Sequence, residues 1–274
     1  VLVTSDNFTM SDIHGDYSAP ETRGNANALV VIEDSSVNGF FSEEFSIMWG
    51  DGPGNNKDSR FGTRKPYRPA QTFSINKTES IKIQFSANRS TAATKNTLDL
   101  IADTVEAAQK TIDFALFVFS SQKISNAMEK AYENRNVTIR GVVEPVFAYR
   151  PYSELLDMWG IELRDHRCRL QQGNRMWSRH VTTVGIPRLV KGDMLHHKMA
   201  VVDGRRVIFG SHNWSDAAAH SNDEVLLVIE SSKVAKQFEA EVRRLTSRAQ
   251  MGAPSWLVKR AKSGGCDSSA SGSL

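Results

Sequence analysis

The 274-residue chain is poor in cysteine, holding only Cys168 and Cys266. Two thiols exclude a disulfide-rich scaffold, and their spacing fits no zinc site. They can form one bridge or none, which leaves the redox compartment and the cellular location open. Long apolar runs are also missing. No stretch approaches the ~18–20 uninterrupted residues of a spanning helix, so no transmembrane segment is expected. The chain opens directly into the strand-like run Val1-Leu2-Val3-Thr4, without a charged n-region and apolar core ahead of it. Charge of one sign is barely in excess, with 34 Lys and Arg against 31 Asp and Glu. What is there is an ordinary globular composition, 40% hydrophobic and 24% charged. The length is about twice the ~100–150 residues typical of one domain, which predicts two packed units.

The near-neutral total hides a local excess. Residues 164–206 carry ten Lys and Arg against Asp165, Asp193 and Asp203. Wherever that block folds, an anion is the expected visitor. Its Arg164–Arg179 portion with Trp177 reads either as a solvated loop or as a basic, aromatic platform for a nucleic-acid backbone or an anionic lipid headgroup. His166, Cys168 and His180 match no standard zinc spacing, and no metal is expected.

Two segments repeat. Val1-Leu2-Val3-Thr4-Ser5-Asp6-Asn7-Phe8-Thr9 parallels Val207-Ile208-Phe209-Gly210-Ser211-His212-Asn213-Trp214-Ser215, and Asn25–Glu33 parallels Asn222–Glu230. The difference in offset fits one loop, Met10–Gly24 in the first copy against Asp216–Ser221 in the second. An internal duplication explains this better than chance. Upstream of the second copy, Ile81–Phe85 alternates as a strand and Thr97 can cap an amphipathic helix. Ile112–Phe119 reads as a strand buried on both faces, Ile124–Tyr132 as a helix and Val137–Val143 as a strand. This alternation predicts an α/β domain. Nothing equivalent precedes Val1, so most of the first repeat is expected to lie upstream of this chain. The domains expected are 1–70, a remnant of the first repeat with its connector; 75–250, a complete second repeat; and 251–274, a flexible tail ending in Gly and Ser.

The densest chemistry is His196-His197-Lys198, then Asp203, then Gly210-Ser211-His212-Asn213-Trp214, then Glu224. Residues two apart on a strand share a face, so His196 and Lys198 point one way while His197, Met199, Val201 and Asp203 point the other. An imidazole beside an ammonium can attack and neutralise a phosphate. Ser211 and Asn213 add hydroxyl and amide donors for phosphate oxygens. Asp203, beside the turn at Gly204, is better suited to pinning a hairpin. His197 and His212 read mainly as structural neighbours, with His212 and Trp214 the candidates to line the substrate.

His196-x-Lys198, Asp203 and Gly210-Ser211-x-Asn213, followed by Asn222-x-Glu224, resemble the HKD motif of the phospholipase D superfamily. The resemblance runs from Val1 to about residue 250. It implies a pseudo-twofold duplicated α/β sandwich, with mixed sheets flanked by helices and the first repeat partial. Two HKD motifs then face each other. One histidine attacks phosphorus to give a phosphohistidine, and the other protonates the leaving oxygen and activates water, with no cofactor. By that analogy His196 is the acid/base, Lys198, Ser211 and Asn213 hold phosphate, and the nucleophile lies upstream of Val1. Asp203 and Glu224 complete the motif, Glu224 as a carboxylate orienting one of the histidines. Ser5, Asn7 and Asn27 survive from the first motif as lining, with Thr4 in place of glycine and Asn27 in place of the glutamate. The implied protein is a phosphodiesterase with an intramolecular pseudo-dimer and a phosphodiester substrate, nucleic acid favoured. The alternatives are a phospholipase or phosphatidyltransferase, with Trp159, Trp177 and Trp256 at a lipid surface, or a non-catalytic nucleic-acid-binding module.

Overall fold

The computed structural model describes residues 1–52, 57–88, 94–164, 167–170, 173 and 175–262. A small antiparallel ribbon of β1 (Leu2–Thr4) and β2 (Leu29–Val31) brackets the short helix α1 (Met10–Ile13) and is followed by α2 (Ser35–Trp49). Next come β3 (Gln71–Ser74), β4 (Ser80–Phe85), α3 (Thr97–Glu106), β5 (Thr111–Leu116), α4 (Gln122–Arg135) and β6 (Thr138–Val143). The short helices α5 (Pro145–Ala148) and α6 (Glu154–Trp159) lead to β7 (Val184–Ile186), β8 (Lys198–Val202) and β9 (Arg206–Gly210). The chain continues through α7 (Asp216–His220), β10 (Val225–Glu230), α8 (Ser232–Thr246), β11 (Gln250–Met251) and α9 (Ser255–Lys262). Nine strands form one sheet in the order β11-β7-β6-β5-β8-β9-β10-β4-β3. It is mixed: β5, β6 and β7 run parallel, and the other pairs are antiparallel.

The central strands are mostly apolar because both sheet faces are covered. Phe114, Leu116, Ala200, Val202 and Ile208 pack toward α3 and α4, while Met199, Val201, Phe209 and Leu227 pack toward Phe238, Val242 and Leu245 of α8. The cap of α3 sits one residue earlier than its sequence suggests. Asn96 accepts from Asp99 N and the Asp99 side chain bonds back to Asn96 N, a reciprocal capping box that leaves Thr97 as the first helical residue. The boundary expected at 251 does not hold either. β11 pairs with β7, and α9 docks through the fully buried Leu257, because residues 255–262 carry an apolar stripe. Ser263–Leu274 lies outside the described residues. Cys168 is disulfide-bonded, and Cys266 lies outside the described residues.

The repeated segments carry the same hydrogen bonds. Leu2, Val3 and Thr4 pair with Val31, Val30 and Leu29, and their counterparts Ile208, Phe209 and Gly210 pair with Val228, Leu227 and Leu226. Ser5 N donates to Ala28 O at 3.1 Å and Ser211 N to Val225 O at 3.2 Å. Ser5 Oγ and Ser211 Oγ each accept the returning backbone N–H at 3.1 Å. Asp34 caps α2 through Val37 N, and Ser231 caps α8 through Val234 N. The Thr4-for-glycine difference has a physical reason. At Gly210 a Cβ would stand 2.1 Å from Val225 O, whereas Thr4 turns its hydroxyl to donate to the corresponding Ala28 O at 2.9 Å.

Asp203 sits in the type I′ turn between β8 and β9, with φ 55°, followed by Gly204 at 63°. Its carboxylate accepts from Gln109 N, Lys110 N and Thr111 N and pairs with Arg206. These bonds hold its carboxyl below the usual range, against the effect of burial. Asp203→Ala leaves three backbone donors without their acceptor, so thermal melting is expected to show a loss of about 1–3 kcal/mol. Phosphodiester affinity should not change.

Candidate active site

The site forms where the small ribbon meets β8. Ala26 N donates to Met194 O at 2.8 Å and His196 N to Ala26 O at 2.9 Å, which lays residues 25–27 alongside 194–196. This pairing sets Asn27 against His196, with Nδ1 3.1 Å from Asn27 Oδ1. The parity argument holds. His197 is fully buried on the α8 side, its Nε2 3.0 Å from Glu241 Oε1, and His196 and Lys198 face the other way.

Lys198 is 4% exposed, with its ammonium donating to His196 O at 2.7 Å. One aromatic ring serves both groups. Phe117 lies edge-on to the His196 imidazole at 4.6 Å, its centroid is 4.9 Å from Lys198 Nζ, and Phe147 packs behind it. Burial drops the Lys198 pKa to about 7, opposed by the charges of Glu224, Asp12 and Asp6. Burial and the Lys198 charge also hold His196 below the ordinary histidine value, opposed by Asp12, a bond to the Ser5 backbone, and Asp6. An imidazole and an amine so placed can exchange protons with a bound group.

Around it, Ser211 bonds the Glu224 carboxyl and Val225 N, and Asn213 is half-buried with Oδ1 unpartnered. Burial raises the Glu224 carboxyl, against its bonds from Ser211 and Asn222 and the Lys198 charge. Glu224 acts on Lys198 through its charge, while the side chain set against His196 Nδ1 is Asn27. Ser5 is buried and donates to Asn27 Oδ1 at 3.0 Å.

Four expected members stand elsewhere. Asp203 lies five residues beyond Lys198, roughly 16 Å along a strand rising about 3.3 Å per residue, and acts on the turn. Trp214 is fully buried against Phe119 at 5.3 Å, on the core side of the strand exit. His212 is buried 2.7 Å from Thr97 Oγ1, and burial drops its pKa to about 3, so it is neutral and structural. Asn7 is exposed beyond the end of β1 and makes no hydrogen bond to these groups. Among the described residues of the arginine-rich stretch, the aromatic and two of the arginines are engaged within the protein. Trp177 is 1% exposed and donates to Ser125 Oγ, Arg175 pairs with Glu129, and Arg179 stacks over Tyr132. Trp159 is buried as well, leaving Trp256 exposed among these three.

The residue that sequence reading missed is Asp12. It is 7% exposed, accepts from Asn25 Nδ2 and Asn27 Nδ2 at 2.9 Å and from Thr9 Oγ1 at 2.8 Å, and its Oδ1 is 3.6 Å from His196 Nδ1. Burial alone would raise this carboxyl, but the three hydrogen bonds and the nearby histidine carry it below its usual value.

A mixed, doubly covered sheet thus carries a half-buried histidine and a buried lysine, two residues apart, at the entrance of one strand. The chain belongs to the phospholipase D superfamily: residues 101–246, just over half of it, match the family described as "Cardiolipin synthase, PLD-like domain". Among curated proteins it is similar to the mitochondrial cardiolipin hydrolases of Xenopus laevis and Homo sapiens. The first is 28% identical over 140 residues, covering 50% of this chain and 55% of the relative. The second is 29% identical over 141 residues, covering 51% and 46%. The chain thus spans about half the length of the curated relatives it matches. Among solved structures, the phospholipase D family member Nuc from Salmonella typhimurium aligns with a TM-score of 0.48 at 17% identity, over 64% of this chain and 99% of that one. NucT from Helicobacter pylori aligns with 0.47 at 14%, over 63% and 99%.

Proposed function

We propose that this chain is the acid/base half of a phospholipase D-type phosphodiesterase, nuclease-like in substrate, built from a complete second repeat and part of a first. The observation that carries the reading is Lys198. Its ammonium is buried, and among the described residues it makes no ion pair. Burial makes the charged form costly despite the carboxylates of Glu224, Asp12 and Asp6, and an incoming phosphate relieves that cost. His196 Nε2 would protonate the leaving oxygen after a second histidine attacks phosphorus, then take a proton from the water that cleaves the phosphohistidine. Ser211 and Asn213 would hold non-bridging oxygens. The chain contains one His-x-Lys motif, so turnover is assigned to its assembly with a second such unit. The repeated register of β1–β2 and β9–β10 supports the half-built reading, in which Ser5 and Asn27 line the opposite wall.

Nucleic acid is the first choice of substrate. Arg188 and Lys191 are exposed on the loop that enters the His196 strand, suited to a polyanion backbone. Among the described residues no helix is long and apolar enough to cross a membrane. One observation favours a lipid phosphodiester instead: Phe8 (98% exposed), Met10, Ile13 and Tyr17 surround Asp12 on the loop beside His196. Fluorescence anisotropy with labelled single-stranded and duplex DNA, beside sedimentation with phosphatidylcholine vesicles, separates the two. The expected result is salt-dependent DNA binding that weakens about tenfold or more in Lys198→Met, the loss of one charged hydrogen-bond donor. Preferential vesicle binding would favour the lipid reading. DNA binding indifferent to Lys198→Met would remove this site from consideration.

A further inference from the structure

We propose that Asp12 is the positioning residue that decides which nitrogen of His196 carries the proton, acting through the side-chain amide of Asn27. The inference rests on the reading of His196 as the acid/base and goes on to its tautomer.

Position 27 corresponds to Glu224 in the repeated register, so an amide stands where the other repeat has a carboxylate. An amide is ambiguous beside an imidazole, because either its oxygen or its nitrogen can face the ring. Asp12 removes the ambiguity. A carboxylate only accepts, so Asn27 must turn Nδ2 toward Asp12 Oδ1, at 2.9 Å. Its Oδ1 is then directed at Ser5 Oγ (3.0 Å) and His196 Nδ1 (3.1 Å). An amide oxygen facing Nδ1 requires a proton on Nδ1, which leaves the Nε2 lone pair free for chemistry. The 3.6 Å separation of Asp12 Oδ1 from Nδ1 exceeds a hydrogen bond but stabilises an imidazolium.

Besides Asn27, the ring also bonds the Ser5 backbone, which favours its protonated form, so among the described carboxylates Asp12 is the one that acts through a hydrogen-bonded side chain. Lys198 on β8 faces the ring with the same sign of charge, and Asp6 after β1 contributes only at longer range. Glu224 faces Lys198, and Glu144 accepts from Leu195 N through Oε2 and caps α5 through Oε1. Phe117 covers the ring without polar atoms. The carboxylate lost from the strand position is thus supplied by the Met10–Gly24 loop, which is nine residues longer than its counterpart Asp216–Ser221.

The test is long-range proton–nitrogen NMR of the His196 imidazole in the 274-residue chain, titrated through the histidine range. Wild type, Asp12→Asn, Asn27→Asp and the double variant are compared, with amide spectra reporting the fold of each. In wild type the neutral ring is expected to carry its proton on Nδ1. In Asp12→Asn both amides can turn over, so the tautomers mix and the pKa falls by about half a unit or more with the loss of the charge. Asn27→Asp is expected to raise the pKa and keep the proton on Nδ1, and the double variant to restore the wild-type tautomer. If Asp12→Asn disturbs the loop, Asn27→Asp alone decides, since a carboxylate at 27 must have this effect on a ring held as described. An unchanged tautomer and pKa in folded Asp12→Asn, or no rise in Asn27→Asp, overturns the proposal. The readout is independent of turnover, so a failure to bind or cleave phosphodiesters would refute the proposed function and leave this result standing.

Discussion

Incubated alone with a labelled phosphodiester, the 274-residue chain is expected to bind it and to give no multiple turnover. Binding needs a cation and neutral donors, which Lys198, Ser211 and Asn213 supply. Turnover by a phosphohistidine route needs a nucleophile opposite the acid/base, and the only His-x-Lys here is His196–Lys198. The check is steady-state hydrolysis with the oligomeric state read by light scattering in the assay buffer. Steady hydrolysis by monomer would overturn the two-histidine reading. In any preparation that does turn over, His196→Ala should lower the rate ~10²–10⁴-fold, the usual share of a general acid–base group. Activity within a few-fold of wild type would place the chemistry elsewhere.

The second large effect concerns stability. Glu154 and Asp157 are each 1% exposed on α6. Burial, reinforced by the Asp157 charge and a bond to Asp157, pushes the Glu154 pKa up to about 9. Burial also raises Asp157, against bonds from Arg175 N, Gln122 and Glu154. Glu154 is therefore a neutral carboxyl at pH 7. Its folded pKa lies above the unfolded value near 4.5, so its contribution is complete below pH 4.5, is lost progressively as pH rises to about 9, and is level beyond. Glu154→Gln mimics the neutral form without the proton. It is expected to raise stability on the order of a few kcal/mol at pH 8, little at pH 4, and to flatten the dependence between. Denaturant titrations at the two pH values measure this; equal effects at both would show that Glu154 is ionised in the fold.

The sequence made some of this architecture readable and hid the rest for identifiable reasons. Strand parity was enough to separate His196 and Lys198 from His197, because period-2 alternation survives in any sheet. The duplication was readable because its hydrogen-bond register leaves matching serines and apolar triplets at constant offset. Trp214 was expected to line the substrate and is buried instead, because the chain leaves β9 irregularly, where alternation no longer assigns faces; His212 stands as the structural neighbour it was mainly read to be. The arginine-rich stretch stayed open between a solvated loop and a platform because charge is visible in sequence while pairing partners such as Glu129, dozens of residues away, are not. Asp12 carried no signal at all. It sits in α1, on a segment nine residues longer than its counterpart in the other repeat, and its meaning comes only from the contact of residues 25–27 with 194–196.

The hairpin of β8 and β9 also bears on the order in which the molecule forms. Asp203 and Gly204 already adopt the backbone that a tight hairpin demands, and Val202 closes the turn with Arg205. Such local pairing closes on the microsecond scale and incurs little loop entropy. The bond between His196 and Asn27 joins residues 169 positions apart. Contacts of that range wait for most of the sheet. The reactive end of β8 is thus the last part of its own strand to acquire native surroundings, and during refolding the imidazole of His196 should titrate like a solvated histidine until the ribbon docks.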